Sequence, residues 1–414
     1  MSENAKKPAM RFDGFDDAWE QRKLDDFVSS ITRTDSESTA PVKMISAASG
    51  FINQSEKYSS DNAGQSLAKY ILLKRGELAY NHGASKYKPY GSCFALNVDE
   101  ARIPFVYHCF GVGDNNPYFT AIVLNDTRVD KQLRRLVSSG ARMDGLLNIS
   151  FEAYKTVEVM MPSNAEQDKI YKLFADLDNL ITLHQRKYDK LVSVKKSMLV
   201  KMFPKNGSNK PEIRFSGFTD PWEQRKLKDL CILFTDGDWI ESKDQSDSGI
   251  RLVQTGNVGI AEYLDKQNNQ KWISEETFKK LNCEEVLPGD ILISRLPEPA
   301  GRACIMPSLG MKMITAVDCT IVRTASDCSN KFLIQYLSSQ NYFNEVNTAL
   351  AGGTRQRISR SNLASLNIPI PANHKEQIAI GKCFENLDNL ITLHQRKLEK
   401  LKNIKKSMLE KMFV

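Results

Sequence analysis

The residues best suited to chemistry lie in loops rich in hydrogen-bond donors. Residues 351–360 read Ala-Gly-Gly-Thr-Arg-Gln-Arg-Ile-Ser-Arg, with three arginines, a glutamine and small hydroxyls behind two glycines that let the backbone approach a ligand. Arginine can bond O6 and N7 of guanine together, glutamine N6 and N7 of adenine, and Ser and Thr suit phosphate oxygens. Thr354, Arg355, Gln356, Arg357, Ser359 and Arg360 are therefore residue types that read a duplex through its major groove. Arg295 ends a strand-like run upstream and Arg302 lies just beyond it. Earlier in the chain, residues 81–90, Asn-His-Gly-Ala-Ser-Lys-Tyr-Lys-Pro-Tyr, alternate basic and aromatic side chains. From that loop His82, Ser85, Lys86, Tyr87, Lys88 and Tyr90, with Arg142 after Ser139-Gly140, form a corresponding candidate set. The bland alternative for each one is a solvated surface charge.

Three catalytic patterns compete with this reading, and each is weak. Phe110-Gly111-Val112-Gly113 followed by Asn116-Pro117-Tyr118-Phe119 imitates amino-methyltransferase signatures. It lacks the second proline, and its parts crowd within a few residues instead of sitting on separate strand–loop units. Asp238 with Glu241-Ser242-Lys243 imitates a metal-dependent nuclease, but carboxylates this close in one loop need no metal to explain them. There is no GxxxxGK[ST] phosphate loop, and His82, His108, His184, His374 and His394 form no nucleophile or metal cluster. The chain reads as non-catalytic.

Composition agrees with a soluble globular protein of two or three cores: 414 residues, 41% hydrophobic and 26% charged. The N-terminus is polar, and no run approaches 18 apolar residues, so the expected location is cytoplasmic and off the membrane. The eight cysteines show no CxxC and no zinc spacing, which favours buried reduced thiols. A net charge of +7 leans only mildly toward a polyanionic partner.

The donor loops must be held by something, and the sequence supplies a frame twice. Residues 177–187 and 387–397 both read LDNLITLHQRK, and residues 11–24, RFDGFDDAWEQRKL, return at 214–227 as RFSGFTDPWEQRKL. The chain is thus a tandem repeat of leading segment, domain and long helix. Around the duplicated eleven residues, large side chains recur at alternating steps of three and four, giving a seam that includes Leu177, Ile181, His184 and Leu191 and its counterpart Leu387, Ile391, His394 and Leu401. A 3.5-residue period held for four heptads predicts coiled-coil helices over 166–203 and 376–413, each about 57 Å long at 1.5 Å per residue. In both, the first half carries net −2 and the second +5. Antiparallel pairing lays acid on base, whereas parallel pairing stacks +5 on +5. His184 and His394 in the seam suit a contact between helices, and Trp19 and Trp222 suit packing anchors.

Between leading segment and helix, the two domains differ in sequence but keep landmarks. Residues 74–82 answer 287–295, each a Gly-acid turn feeding a short strand; 41–46 answer 249–254; and VEVMMP at 157–162 answers LNIPIP at 366–371. Short strands with intervening helices, such as 331–338, predict a mixed α+β domain. Pro, Gly, Asn and Ser cluster at 204–211 as a connection.

This arrangement resembles the specificity subunit of type I restriction-modification systems over essentially the full 414 residues. The paired FxGFxxxWEQRKL segments carry the resemblance, together with the LDNLITLHQRK helices ending in KKSML and the GGTRQRIS before LNIPIP. The first domain departs from the Gly-Thr-Arg-Gln pattern. The resemblance implies an α+β fold: two mixed α/β target-recognition domains separated by two long helices in an antiparallel coiled coil, with pseudo-two-fold repetition. The expected boundaries are 1–165 and 214–375 for the domains, 166–203 and 376–414 for the helices, and 204–213 for the linker. It further implies that each domain reads half of a split double-stranded DNA target. Two modification subunits would carry S-adenosylmethionine, and restriction subunits would consume ATP with Mg; no cofactor or metal is expected in this chain. The rival expectations are a stand-alone DNA-modifying enzyme and a protein-bridging coiled-coil scaffold.

Overall fold

The leading strands are polar and exposed, so they form only where another strand supplies their hydrogen bonds. Glu20–Lys23 pairs antiparallel with Glu158–Met161, setting Glu20 opposite Met161. Glu223–Lys226 pairs with Asn367–Ile370 in the corresponding register, Glu223 opposite Ile370. The structure, a computed structural model, describes residues 7–57, 64–137, 147–205, 207–351 and 356–414. Its contacts divide the chain into two units, Met1–Leu183 with Leu398–Val414, and His184–Lys397. Both mix helices and strands, an α+β fold.

In the first unit a four-stranded antiparallel sheet runs in the order Ser29–Ser30, His108–Gly111, Leu78–Asn81, Ser92–Ala95. Two smaller pairs flank it, Lys43–Ser46 with Gly50–Asn53 and Ile71–Lys74 with Glu100–Ile103. The sheet's inner strands, His108–Gly111 and Leu78–Asn81, are short and mostly buried, while the edge strand Ser29–Ser30 is exposed. Helix Pro117–Leu124 covers one side, begun by Asn116, whose side-chain oxygen accepts from the Tyr118 and Phe119 amides.

The second unit holds the corresponding sheet, Cys231–Asp236, Cys319–Thr324, Ile291–Ser294, Ala303–Ile305. A second four-stranded sheet includes a parallel pair, Ile250–Val253 with Met313–Thr315. Helix Asn330–Tyr336 is capped by Ser329.

The long helices span Asn164–Lys201 and His374–Lys411. Near the start of each, a buried carboxylate fixes the leading segment. Arg11 donates to both oxygens of Glu166 at 2.7 and 2.8 Å, and Arg214 does the same to Glu376 at the same distances. The glutamine that follows is equally committed. Gln167 accepts from the Asn116 amide and donates to the Pro162 carbonyl; Gln377 accepts from the Ser329 amide and donates to the Pro371 carbonyl. Each thereby ties a long helix to a short one and to the strand before it.

Each tryptophan is buried edge-on against the phenylalanine two residues past the end of a long helix, Trp19 on Phe413 and Trp222 on Phe203, both at 6.0 Å. The Met10 amide donates to the Lys411 carbonyl as the Ile213 amide does to Lys201. The second leading segment thus follows its helix end directly in sequence, and the first reaches an equivalent end through space. Between the helices, Asp178 meets Lys405 and Phe174 meets Phe413 in the first unit. His184 meets His394 and Lys195 meets Asp388 in the second. In both, residue numbers rise along one helix as they fall along the other. Leu177 is buried; Ile181, Leu191, Leu387, Ile391 and Leu401 are half-buried.

Candidate nucleic-acid interface

In the first unit the candidate loop springs from the end of strand Leu78–Asn81 and is closed by local bonds. The Asn81 side chain accepts from the Gly83 amide, Ser85 Oγ from the Lys88 amide, and the Tyr90 carbonyl from the buried Tyr80 hydroxyl at 2.6 Å. Gly91 sits at φ +88, and a Cβ there would lie 2.6 Å from the Asn81 carbonyl oxygen, so only glycine closes this turn. Lys88 Nζ donates to the Asn125 carbonyl and approaches Asp130. His82 has both ring nitrogens on carbonyl oxygens, Leu147 at 2.7 Å and Val106 at 2.8 Å.

His82, Ser85, Lys88 and the Tyr90 backbone thus take part in bonds that shape the loop. Lys86 and Tyr87 project from it, Tyr87 with 74% of its surface exposed. Arg142 lies outside the described residues.

In the second unit the corresponding strand, Ile291–Ser294, leads into Arg295. That side chain is buried, donating Nη2 to the Val317 carbonyl at 2.7 Å and pairing with Asp236 at 3.2 Å. Arg302 is taken up entirely by backbone oxygens: Nε by Val258, Nη2 by Thr255, and Nη1 by Leu296, Pro297 and Pro299. Burial pulls its guanidinium below the ordinary arginine value. Ser359 Oγ accepts from the Asn362 amide, capping helix Arg360–Ser365. Arg295 and Arg302 thus hold loops together, and Ser359 starts a helix.

Gln356, Arg357 and Arg360 are exposed. Arg357 stands 3.7 Å from Asp318 and Arg360 3.9 Å from Asp236, loose pairs in which solvent screens most of the attraction. Thr354 and Arg355 lie outside the described residues. Sequence reasoning missed Asp236 and Asp318, which orient the arginines across long loops. No local signal marks them, because each partner lies dozens of residues away.

The rival motifs have structural explanations. Asn116-Pro117-Tyr118-Phe119 is the helix cap described above. Asp238 accepts from the Glu284 amide and is raised above the usual carboxylate range, mainly by burial. Glu241 pairs with Lys243, which lowers its pKa. Among the described residues no group of three or more His, Cys, Asp or Glu is placed to hold a metal, and no helix is long and apolar enough to cross a membrane.

Residues 219–403 match the family model described as type I restriction modification DNA specificity domain. The chain is 24% identical over 289 residues to the type I restriction enzyme MjaVIII specificity subunit of Methanocaldococcus jannaschii, a match covering 66% of this chain and 65% of that relative. A relative from the same organism, carried under the name MjaX specificity subunit, is 24% identical over 366 residues, 85% of this chain and 80% of its own. In fold, the chain is similar to the crystal structure of a type I restriction-modification system S subunit from M. genitalium, with TM-score 0.55, 12% identity and 99% of each chain covered. In sequence the chain is thus similar to type I specificity subunits.

Proposed function

We propose that this chain is the non-catalytic specificity subunit of a type I complex, reading a bipartite double-stranded DNA target with one half-site per domain. The observation that carries it is the contrast between frame and loops. Arg11–Glu166 and Arg214–Glu376, the glutamines beside them and the register of the leading strands are the same twice over, while the loops they support differ. A duplicated frame with two different loop sets suits a reader of two unlike half-sites. The opposed numbering of the helix contacts supports an antiparallel coiled coil in a pseudo-two-fold tandem repeat, with domains over 1–165 and 214–375. Coil length then sets the gap in the target.

The base and phosphate contacts fall to the exposed donors Lys86 and Tyr87 in the first domain and Gln356, Arg357 and Arg360 in the second. Thr354, Arg355 and Arg142 join them on sequence grounds. Two modification subunits would supply S-adenosylmethionine and methylate adenine, restriction subunits would consume ATP with Mg, and this chain would hold no cofactor. The assembly would work in the cytoplasm.

The test is to supply modification subunits and S-adenosylmethionine and to map methylated adenines. The wild type should give a split motif. Arg357→Ala should relax one half-site about tenfold, as expected for losing a contact worth about 1–3 kcal/mol, and leave the other untouched. Uniform weakening with a smaller salt slope would assign Arg357 to phosphate. Methylation by the chain alone would support the enzyme reading instead.

A further inference from the structure

The second unit holds a large aromatic side chain out in water. Trp239 has 70% of its surface exposed, whereas Trp19 and Trp222 are buried. It stands three residues past Asp236, in the loop that leaves strand Cys231–Asp236. That loop is pinned on both sides of it. The Gly237 amide donates to the Cys319 carbonyl at 2.9 Å, the Asp238 amide donates to the Thr315 carbonyl at 2.9 Å, and the Asp238 carbonyl accepts from the Val317 amide at 3.0 Å. A Cβ on residue 237 would lie 2.3 Å from the Thr315 carbonyl oxygen, so only glycine lets the two segments approach this closely. Beyond the tryptophan, Ile240 packs against Ile250, Leu252, Ile273 and Ile314, and the Glu241 amide donates to Asp244 at 3.0 Å.

The indole is held by one edge. Its Nε1 donates to Glu241 Oε1 at 3.3 Å, and Glu241 pairs with Lys243 at 2.7 Å. Among the described residues no aromatic ring or cationic head packs on its face. A large apolar face already fixed in place loses little freedom when a partner covers it.

The same framework carries the exposed arginines proposed to contact DNA. Asp236 stands 3.9 Å from Arg360, and Asp318, next to Val317, stands 3.7 Å from Arg357. An aromatic face among guanidinium groups suits a base and its phosphate, whereas an apolar protein surface would strand those charges.

We propose that Trp239 is a specificity-determining residue that stacks on a base of the half-site read by the second domain. Inside an intact duplex both faces of a base are covered by its neighbours, so an indole reaches one only where a step has opened. Methylation of adenine, the chemistry proposed for the modification subunits, requires such an opening, because the target base must leave the stack. Trp239 covers a face that the opening exposes. Its contact belongs to the opened duplex alone, unlike the hydrogen bonds that the edges of paired bases accept. The corresponding strand of the first unit, Ser29–Ser30, is followed by Ile31-Thr32-Arg33-Thr34-Asp35, with no aromatic. The contact is therefore confined to one half-site.

This inference rests on the proposed DNA-reading function, and the experiment separates the two. The chain with its modification subunits is titrated with a duplex bearing its split motif and with a scrambled duplex, while tryptophan emission is followed. Stacking on a base quenches an indole. Subtracting the Trp239→Phe trace should leave a quench that the motif causes and the scrambled duplex does not. Trp239→Ala should weaken binding to the motif about tenfold, leave the salt slope unchanged and relax methylation at one half-site only. Trp239→Phe should recover most of the affinity.

Unchanged affinity in Trp239→Ala, or an equal quench by both duplexes, overturns the stacking contact and leaves the DNA-reading function standing. Weaker capture of the modification subunits by Trp239→Ala without DNA assigns the residue to a protein partner and overturns stacking too. Absence of sequence-selective binding by the wild type overturns the reading function, and the stacking contact with it.

Discussion

Where a short helix meets a long one, the two units solve the same packing problem with different residues. In the first, Tyr118 and Tyr171 stack at 4.8 Å beside a groove of about 700 Å³ that Phe94, Phe174 and Leu409 help to line. In the second, Lys331 and Gly381 stand at the matching places, and a Cβ on Gly381 would lie 2.9 Å from Lys331 Cβ and 3.0 Å from the Phe332 nitrogen. Two bulky rings hold the helices apart in one case, and a missing side chain lets them close in the other. A few residues away, the Arg–Glu pairs do not differ at all. A buried carboxylate tolerates no drift, because removing either partner strands a charge, whereas an apolar contact can be rebuilt in several shapes.

The largest expected effect follows from the shared part. Glu166→Ala and Glu376→Ala should each cost about 3–5 kcal/mol, the range for breaking a buried pair. The two should not be equal. Trp222 Nε1 also donates to Glu376, at 3.3 Å, while Trp19 Nε1 is buried without a partner. Glu376→Ala should therefore cost about 1 kcal/mol more, the net value of one hydrogen bond. Urea unfolding of both variants checks this, and equal losses would show that the Trp222 bond contributes nothing.

A middling effect tests the part that differs. Gly381→Ala gains about 1 kcal/mol of helix propensity but forces the short helix away, and overpacking costs about 1–3 kcal/mol, so a net loss of roughly 1 kcal/mol is expected. Tyr171→Ala, in the open groove, should lose only the stacking contribution, about 0.5–1.5 kcal/mol. If Gly381→Ala proves stabilising, the second unit is not closed by that contact.

What could be read from sequence followed the range of the interaction involved. The long helices showed themselves through a period repeated over many turns, and the strands 158–161 and 367–370 through local apolar runs bounded by proline. Gly76 and Gly289, in the turns aligned between the domains, both have positive φ, at +83 and +95. The tryptophans were legible as anchors but not their partners, since Phe413 lies almost the whole chain away from Trp19. Arg295, Arg302 and His82 were legible as donors but not as ones already engaged by backbone carbonyls. A sequence gives a residue's chemistry, and only the folded backbone gives the carbonyls that take it up. Glu166 and Gln167, which position everything near them, sit in an ordinary polar helix start that carries no periodic signal.

The smallest effect concerns the helix contacts themselves. The ion pairs Asp178–Lys405 and Lys195–Asp388 lie one in each unit, but the second unit adds the His184–His394 contact, Nδ1 to Nδ1 at 2.8 Å. Such a contact can hold one proton between the nitrogens and not two. Desolvation first, then the charges of His184, Lys187 and Lys397, hold His394 below its ordinary value. A base with a depressed folded-state pKa resists protonation in the native state. Its stabilising contribution is therefore present above the unfolded value, about 6.5, and is lost as pH falls through the folded value. Hydrogen-exchange protection near residues 184 and 394 should accordingly drop between about pH 7 and pH 5, while protection around Asp178 and Lys405 changes less. Replacing both histidines with leucine should remove the difference, because an apolar pair fills the seam and binds no proton. Equal loss in both units, or persistence of the drop in the double variant, would move the pH sensitivity away from the histidines and onto the carboxylates that the two units share.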